Sequence, residues 1–556
     1  MGGFLTNRTA AATAGRPDTT TIMIQQDAVF RAMMHAASYP HPVRSIQVLD
    51  THISKVFLTG QRAYKIKKAV DLGFLDFSTL QGRYHYCSQE VNLNRRLSRG
   101  VYLDVVPITF NGTQIGIKLS GQVAEYAVCM RQLNTDQSML HLLRAGKFNK
   151  ADVLRIAGLL HRFYETAPRD FSVARWGGVD VIAMNCADNF EALEKFVGQT
   201  VDGDRLHAVK AAVERMLERR RALFIRRQAD GFVRDGHGDL RCSHVYIEDE
   251  IQIIDCIEFD TRYRCNDVAS DIAFLSMDLD FEGFHGTARQ LVENFARLSQ
   301  DAQLMQLMDF YKCYRALVRA KVNCLRLKND CLPLGERNAT VREVRRYIDL
   351  ALVYALAFSQ PTLWVVCGLP AAGKSTLAKG LGDLLGCCVV SSDITRKTLF
   401  GLPPESSAEA AFGAGIYTPA ADARTYAKLL LRAQEALANG ESIILDASFS
   451  REEHRGEAVR LAEEQGANIL FVECRPPAGV IEQRLAQRAV SPGVSDARLS
   501  HLAAFRSSYE QFEGLESAWH QVVDTIRPIN EILTSLLAHD CAVRAENAQK
   551  KMIKNI

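Results

Sequence analysis

What the chain lacks narrows it first. Its 14 cysteines show no C-x-x-C spacing, and the one adjacent pair, Cys387-Cys388, sits inside an apolar run. Most have apolar neighbours, as buried free thiols do. Neither a disulfide scaffold nor a zinc site is expected, and a reducing cytoplasm suits the composition. No apolar run reaches the roughly 18 residues of a membrane span. The nearest, Leu350 to Phe358, stops at Ser359-Gln360-Pro361. An excess of one charge is also missing: the net charge is +3 over 556 residues, which gives no bulk electrostatic case for nucleic acid or a membrane. Residues 1–25 are rich in Ala and Thr and carry no apolar signal core, so they read as a flexible lead-in. The whole chain, 47% hydrophobic and 24% charged, has an ordinary globular composition. Its length predicts about three or four compact units.

The densest signal is Thr362 to Leu377, TLWVVCGLPAAGKSTL. The apolar run Leu363 to Cys367 reads as a buried parallel strand. Gly368-Leu-Pro-Ala-Ala-Gly373-Lys374-Ser375 fits the phosphate-loop pattern G-x4-G-K-[ST], and a helical stretch, Ser375 to Leu385, follows. Backbone N–H groups can wrap a phosphate only where no side chain intervenes, hence Gly368 and Gly373. The helix points its positive end at the anion. Lys374 supplies a point charge to the β- and γ-phosphates, and the Ser375 hydroxyl can ligate Mg²⁺. With Thr376, these are the expected contacts to a nucleoside triphosphate.

Upstream, Val56 to Leu58, a Thr59-Gly60-Gln61 turn and Ala63 to Lys67 predict a hairpin, with Lys65 and Lys67 on one strand face. Residues 84–97 read as a helix carrying Glu90. Val101 to Ile108, Gln114 to Leu119 and Glu125 to Leu133 read as strands. From Ser138 the pattern turns helical, including Val181 to Phe196 and Arg205 to Gln228. Within it lies a second signal, His237-Gly-Asp239-Leu-Arg241-Cys-Ser-His244. Two short apolar runs around Glu248-Asp249-Glu250 follow, then Asp255. The hairpin they predict holds Asp239 and Asp255 near each other. One carboxylate of such a pair can accept the proton of an attacking hydroxyl, and the other can hold Mg²⁺ against phosphates.

Residues 27–345 resemble the aminoglycoside phosphotransferase and choline kinase group, which shares the protein-kinase fold. The resemblance rests on H-G-D-L-x-x-x-[N], on the Ile254-Asp255 pair after it, on Asp267-Val-Ala-Ser-Asp271-Ile-Ala, and on the upstream lysine and glutamate. It implies that Asp239 is the catalytic base and that Asp255 holds metal. Lys65, with Lys67 as the alternative, would pair with nucleotide phosphates and Glu90. Asp271 would brace the catalytic loop, and the backbone around Met130 to Leu133 would face adenine. Two departures stand out. His244 occupies the position of the group's metal-binding Asn, and imidazole nitrogen suits softer metals than Mg²⁺, so Mn²⁺ or a single ion becomes an option there. A glycine-rich flap is missing, leaving Asp50-Thr51-His52-Ile53-Ser54 to cover phosphates.

From Asp309 to Leu327 a helix is expected, with Lys312, Arg315, Arg319 and Arg326 on one face. That face is either a cationic wall for an acidic substrate or simply solvated. Val341 to Phe358 is another helix, and the break at Ser359-Gln360-Pro361 marks a boundary. Beyond it, strands and helices alternate as in a parallel three-layer sheet. The strands are Leu363 to Cys367, Cys387 to Val390, Ser442 to Leu445, Asn468 to Cys474 and Gln521 to Val523. Residues 361–530 resemble small P-loop kinases, among them polynucleotide 5′-hydroxyl kinases and gluconate kinases. Units of this kind are often grouped loosely with AAA ATPases, although no ring-ATPase arginine-plus-sensor arrangement is legible here. The resemblance makes Asp393 the acceptor-activating carboxylate with Arg396 as its partner. Asp446 becomes the Walker B acid, and Arg484 and Arg488 become lid arginines on the transferring phosphoryl group.

The expected fold class is α/β and α+β: a protein-kinase-like bilobal domain, then a P-loop three-layer parallel-sheet domain. The expected divisions are a flexible 1–25, a kinase-like 26–345, a helix and linker 346–361, a P-loop unit 362–540 and a frayed tail 541–556. The expected activity is a tandem ATP- and Mg²⁺-dependent phosphotransferase acting on small-molecule hydroxyls. Two alternatives stay open: a nucleotide-gated regulator with a silent N-terminal half, and a nucleic-acid 5′-hydroxyl kinase. Acceptor and oligomeric state are not legible.

Overall fold

The computed structural model describes residues 25–71, 73, 75–328, 332–404, 406, 413–488 and 496–554. The chain divides into two compact units, Met1–Arg95 with Gly100–Gln132, and Arg96–Arg99 with Leu133–Ile556.

The first unit is built on a six-stranded antiparallel sheet. In chain order its strands are β1 (Gln47–Asp50), β2 (Ser54–Leu58), β3 (Arg62–Lys67), β4 (Tyr102–Phe110), β5 (Ile115–Ile117) and β6 (Gln122–Arg131), and their spatial order is β1-β2-β3-β6-β4-β5. The expected hairpin is β2-β3, with Val56 opposite Lys65. Phe57, Tyr64, Ile66, Ile108 and Cys129 form its apolar core. Helix Leu80–Asn94 starts where the Thr79 hydroxyl accepts the Gly82 N–H, so it begins four residues before the expected start at Tyr84.

The second unit opens with helices. The expected single helix Arg205 to Gln228 is two, Gly203–Arg219 and Arg221–Ala229, because Arg220 leaves helical geometry at φ −103° and ψ 14°. Short strands follow: β7 (Val233–Asp235), β8 (Val245–Ile247), β9 (Ile251–Ile253) and β10 (Cys265–Asp267), with β7 paired to β10 and β8 to β9. After helices Val268–Phe281, His285–Ser299, Leu304–Arg326 and Leu334–Ser359 comes a five-stranded parallel sheet. It comprises β11 (Thr362–Cys367), β12 (Cys388–Ser391), β13 (Ile443–Asp446), β14 (Asn468–Cys474) and β15 (His520–Val523), in the order β12-β13-β11-β14-β15. β11 is central and buried at every residue, as a parallel strand covered on both faces must be. The fold is therefore a protein-kinase-like antiparallel-sheet and helical arrangement followed by a P-loop three-layer sheet.

The sequence predicts a linker at 346–361, yet no break in packing occurs there. Helix Leu334–Ser359 runs unbroken to the start of the sheet. One apolar core continues from Phe310, Tyr347 and Tyr354 of the helical part to Trp364, Leu377 and Leu470 of the P-loop part. The expected frayed tail also differs: helix Ile529–Lys554 buries Leu536, Val543 and Ala548. A helix with a buried apolar stripe is held by packing, which local composition does not reveal. Among the described residues 13 cysteines are free thiols, and no helix is long and apolar enough to cross a membrane.

Candidate active sites

In the first unit, β3 presents Lys65 and Lys67 on one face, and both reach one glutamate. Lys65 Nζ lies 2.8 Å from Glu90 Oε1, and Lys67 Nζ lies 2.7 Å from Glu90 Oε2. Glu90 and the Lys67 side chain are fully buried, and the Lys67 ammonium sits 4.9 Å above the centroid of the Phe77 ring. Lys65 keeps 13% of its side chain exposed. Of the two lysines, Lys65 is the one a ligand can approach. The Asp50–Ser54 turn is tied to itself, with the Thr51 hydroxyl donating to the Ser54 carbonyl and Asp50 paired with Lys55 and Lys68 at 3.4 and 2.5 Å.

In the second unit the His237–His244 segment is fixed from beneath. Buried Asp271 accepts the N–H groups of His237 and Gly238 at 2.7 and 2.9 Å, and the Tyr164 hydroxyl at 2.9 Å. Gly236 must be glycine, since a Cβ there would lie 2.5 Å from Asp271 Oδ2. His237 donates from Nε2 to the Ile254 carbonyl, which ties the segment to the β8-β9 hairpin. The hairpin ends at Asp255, a non-glycine residue at φ +66°. Such backbone costs of order 1–3 kcal/mol and persists where the surroundings enforce it.

Asp239, His244 and Asp255 thereby converge, each offering a ligand atom within 4.8 Å of the others. Arg241 lies among them. Its guanidinium donates to both Asp239 oxygens at 3.1 and 3.2 Å and to His244 Nε2 at 2.8 Å. A guanidinium has no acceptor, so His244 Nε2 carries the lone pair and Nδ1–H donates to the Asp239 carbonyl at 2.9 Å. Burial, reinforced by the Arg241 charge, lowers the His244 imidazole to about 4. Burial opposes ionisation of Asp239, but Arg241 with His244 and Arg319 outweighs it and holds the carboxyl at about 2. At neutral pH the Asp239 carboxyl is ionised, the His244 imidazole is neutral, and the Arg241 guanidinium already stands among them as a cation.

The phosphate loop follows β11. Gly368 at φ +125° has no room for a Cβ, which would lie 2.6 Å from the Cys474 carbonyl. At Gly373, φ +99°, a Cβ would meet the Thr525 hydroxyl at 2.9 Å and Arg484 Nη1 at 3.2 Å. Helix Lys374–Leu385 starts there, and Lys374 Nζ folds back onto the Leu369 carbonyl at 2.9 Å. Asp446 ends β13 beside the loop, opposite Val366 in register. Burial raises its carboxyl, against the opposing effects of Lys374 and of a hydrogen bond with Ser375, while nearby Asp393 raises it further. A cavity of about 380 Å³ opens beside the loop, lined in part by Gly373, Thr376, Arg484, Gln487, Thr525 and Ile529.

The other predicted residues divide. Arg484 donates to Thr525 Oγ1 and the Ala371 carbonyl at 3.2 and 3.3 Å, so it forms the wall of this cavity. The Arg488 side chain, like the 491–495 loop, lies outside the described residues. Arg396 pairs with Asp422 at 2.6 Å and stacks over Tyr417, so its partner is Asp422 in place of the expected Asp393. The basic face on helix Leu304–Arg326 is largely taken up by partners within the chain, and its end, at Arg326, is solvated. Lys312 pairs with Asp280 at 2.9 Å, Arg326 pairs with Glu336 at 2.8 Å, and Arg319 lies over the Tyr347 ring. Arg315 is buried and donates to the Gly238 carbonyl at 2.9 Å. Sequence reasoning missed Arg241, Gln487 and Thr525. Thr525 stands just beyond the last parallel strand, where ligands gather in such sheets, and that position was the available signal.

A family model described as an AAA domain matches residues 363–512. A choline/ethanolamine kinase family protein from Mesorhizobium loti is 14% identical over 59% of this chain and 98% of its own, with a TM-score of 0.34. A gluconokinase from Sinorhizobium meliloti is 21% identical over 34% of this chain and 97% of its own, with a TM-score of 0.26. A match that spans both halves is to Mycobacterium tuberculosis "Uncharacterized protein Rv2004c", 32% identical over 468 residues, or 84% of this chain and 91% of that protein. The chain belongs to the same family as this mycobacterial protein.

Proposed function

We propose that the chain is a tandem ATP-dependent phosphotransferase in which each half moves the γ-phosphoryl group of ATP to a small-molecule hydroxyl. The observation that carries this reading is the convergence of Asp239, His244 and Asp255 in a chain that also holds a fully formed phosphate loop. Lys65, poised by Glu90, binds nucleotide phosphate in the first half. Asp239 orients the acceptor hydroxyl and takes its proton. A carboxylate held at about 2 is a weak base, so Arg241 must withdraw from it as phosphate arrives. That movement transfers positive charge to the phosphoryl oxygens and restores basicity to Asp239 together. Two carboxylates and one imidazole suit Mn²⁺ at least as well as Mg²⁺.

In the second half, N–H groups of the Gly368–Ser375 loop and Lys374 hold the phosphates. The Ser375 hydroxyl and Asp446 carboxylate are hard oxygen donors that fit Mg²⁺. Bound Mg²⁺ would neutralise developing charge between the β- and γ-phosphates. Asp393, whose charge is felt at Asp446, would activate the acceptor. Arg484 with Thr525 closes the side of the cavity that takes the rest of the nucleotide.

A second reading, a nucleotide-gated regulator, draws on one observation: Arg241 already satisfies the Asp239 carboxylate. The test uses the full chain, since the two halves share a core. The Lys374→Ala chain is incubated with γ-labelled ATP, Mg²⁺ or Mn²⁺, and a small-molecule extract, beside the same chain carrying Asp239→Ala as well. A labelled product that requires Asp239 supports transfer by the first half, and its mass gives the acceptor class. No product with either metal favours the regulator.

A further inference from the structure

The helical half grips the P-loop half at the far end of its nucleotide-binding machinery. Helix Lys374–Leu385 begins at the phosphate loop, and its last carbonyls are taken by side chains from outside the P-loop fold. Arg220 Nη1 donates to the Leu385 carbonyl at 2.6 Å, and Gln306 Nε2 donates to the Leu384 carbonyl at 2.9 Å. A cation at the carboxyl end of a helix complements its dipole, and the amino end of this one faces the phosphate site. Helix Ile529–Lys554 makes a second connection. Ile529 and Ile532 line the nucleotide cavity, and further along Cys541 Sγ donates to the Met305 carbonyl at 3.4 Å. Arg544 spans Asp540 and Asp309 at 2.9 and 3.9 Å.

Gln306 of the first connection and the whole of the second lie on the first turns of helix Leu304–Arg326, at Met305, Gln306 and Asp309. About two turns later the same helix places buried Arg315 on the Gly238 carbonyl at 2.9 Å, with Asp271 at 3.4 Å. These are the groups that fix the backbone preceding Asp239. One rigid element thus touches the carboxyl end of the P-loop helix and the loop that carries the first carboxylate.

We propose that nucleotide occupancy of the phosphate loop and the conformation of the Gly236–His244 loop are energetically coupled through helix Leu304–Arg326, with Arg220, Gln306 and Arg315 as the positioning residues. The proposal rests on the reading that the phosphate loop binds nucleotide. Coupling between sites is reciprocal in free energy. Nucleotide at Lys374 therefore restrains the Asp239 loop, and loosening that loop weakens nucleotide at Lys374 by the same factor.

The experiment uses the full chain carrying Lys65→Ala, so that added nucleotide reads the second half. Binding of Mg·ATPγS is measured by calorimetry, and amide hydrogen exchange of residues 236–244 is followed with and without it. The expected result is exchange slowed about fivefold or more, the lower range of typical couplings. The slowing is lost in Gln306→Leu and Arg220→Ala variants that still bind nucleotide, and partly kept in Arg220→Lys. Arg315→Met, remote from the cavity, lowers nucleotide affinity by a matching factor. Binding without any change at 236–244 overturns the coupling and leaves the nucleotide reading intact. Slowing that survives Lys374→Ala also overturns it. Failure to bind nucleotide at all overturns the nucleotide reading, and the coupling with it.

Discussion

Asp239 and Asp446 are both aspartates close to a basic residue, and their carboxyls move in opposite directions. Arg241 holds Asp239 at about 2, whereas burial raises Asp446 despite Lys374 and Ser375. The contrast follows from geometry. Arg241 meets its carboxylate with two parallel hydrogen bonds, while Lys374 spends its ammonium on the Leu369 carbonyl. Asp239 is an anion with its counter-ion built in, and Asp446 is an anion short of positive charge. On the proposed reading the first site must give up a cation before it can act, and the second gains by accepting one, as a site for Mg²⁺ and triphosphate would.

The largest effect that would sharpen this contrast is at Lys374. In the full chain Lys374→Ala should weaken nucleotide binding to the second half about a hundredfold, the scale of a lost hydrogen bond to a charged group. Thermal unfolding should stay close to that of the parent. Calorimetry with Mg·ATPγS on a Lys65→Ala background checks it, and undiminished affinity would break the assignment of the phosphate loop. Cutting the chain between 345 and 346 is a poor substitute, because the apolar core that joins Phe310 to Tyr347, Trp364 and Leu470 would be split.

Charge removal should next separate the two aspartates by sign. A folded-state pKa lowered from 3.8 to about 2 stabilises the fold above pH ~4, and that contribution is lost as pH falls toward 2. Asp239→Asn should therefore cost about 2 kcal/mol at pH 7. A raised carboxyl works the other way: the fold binds a proton more readily than the unfolded chain, so stability declines as pH rises through the raised value. Asp446→Asn should then raise the melting temperature of the ligand-free protein while it weakens Mg²⁺-dependent binding. Equal signs in the two melts would end the distinction.

The same contrast governs how much was legible in the sequence. The phosphate loop was read residue by residue because its chemistry is contiguous: Gly368, Gly373, Lys374 and Ser375 lie within eight positions, and two need φ values that glycine permits. Asp446 could be placed because strand ends are where such sheets bind ligands. The Asp239 site was legible in part: the hairpin spacing paired Asp239 with Asp255, the resemblance added His244, and Arg241 was the member that neither supplied. Arg241 stands in plain view in the motif, but its pairing with Asp239 depends on side-chain geometry. Arg315 and Arg396 show the limit more sharply. Their spacing is compatible with exposure or catalysis, yet their partners, the Gly238 carbonyl and Asp422, are 77 and 26 positions away. The continuous core across residues 345–365 escaped for the same reason: burial between helices far apart in sequence leaves no local signature.

A smaller effect should appear when the built-in cation is removed. Arg241→Ala leaves the Asp239 and Asp255 carboxylates in place and releases the His244 Nε2 lone pair from the guanidinium. Mn²⁺ affinity at the cluster, read by electron paramagnetic resonance, should rise about tenfold, a modest share of the charge interaction removed. Phosphoryl transfer should fall in the same variant, because the withdrawn arginine no longer meets the phosphoryl oxygens. Unchanged Mn²⁺ affinity would mean that Arg241 does not compete for these ligands, and the comparison with Asp446 would lose half its basis.

The finest test is His244→Asn, which replaces an imidazole nitrogen by an amide oxygen and makes the first donor set as hard as the second. The imidazole at about 4 is neutral at pH 7, so the exchange removes a soft ligand without altering net charge. Mg²⁺ should then support transfer relative to Mn²⁺ about threefold better than in the parent, a fraction of the preference that ligand softness imposes. The pH profile sharpens the reading. In the parent the imidazole stays an available ligand until the pH approaches 4, so Mn²⁺ binding should be level across pH 6 to 7, where an ordinary histidine would already titrate. A parent that loses Mn²⁺ near pH 6.5 would show that Arg241 and burial do not hold the imidazole neutral. An asparagine variant with the parent's metal preference would show that His244 orients Asp239 through its Nδ1–H and never meets the metal.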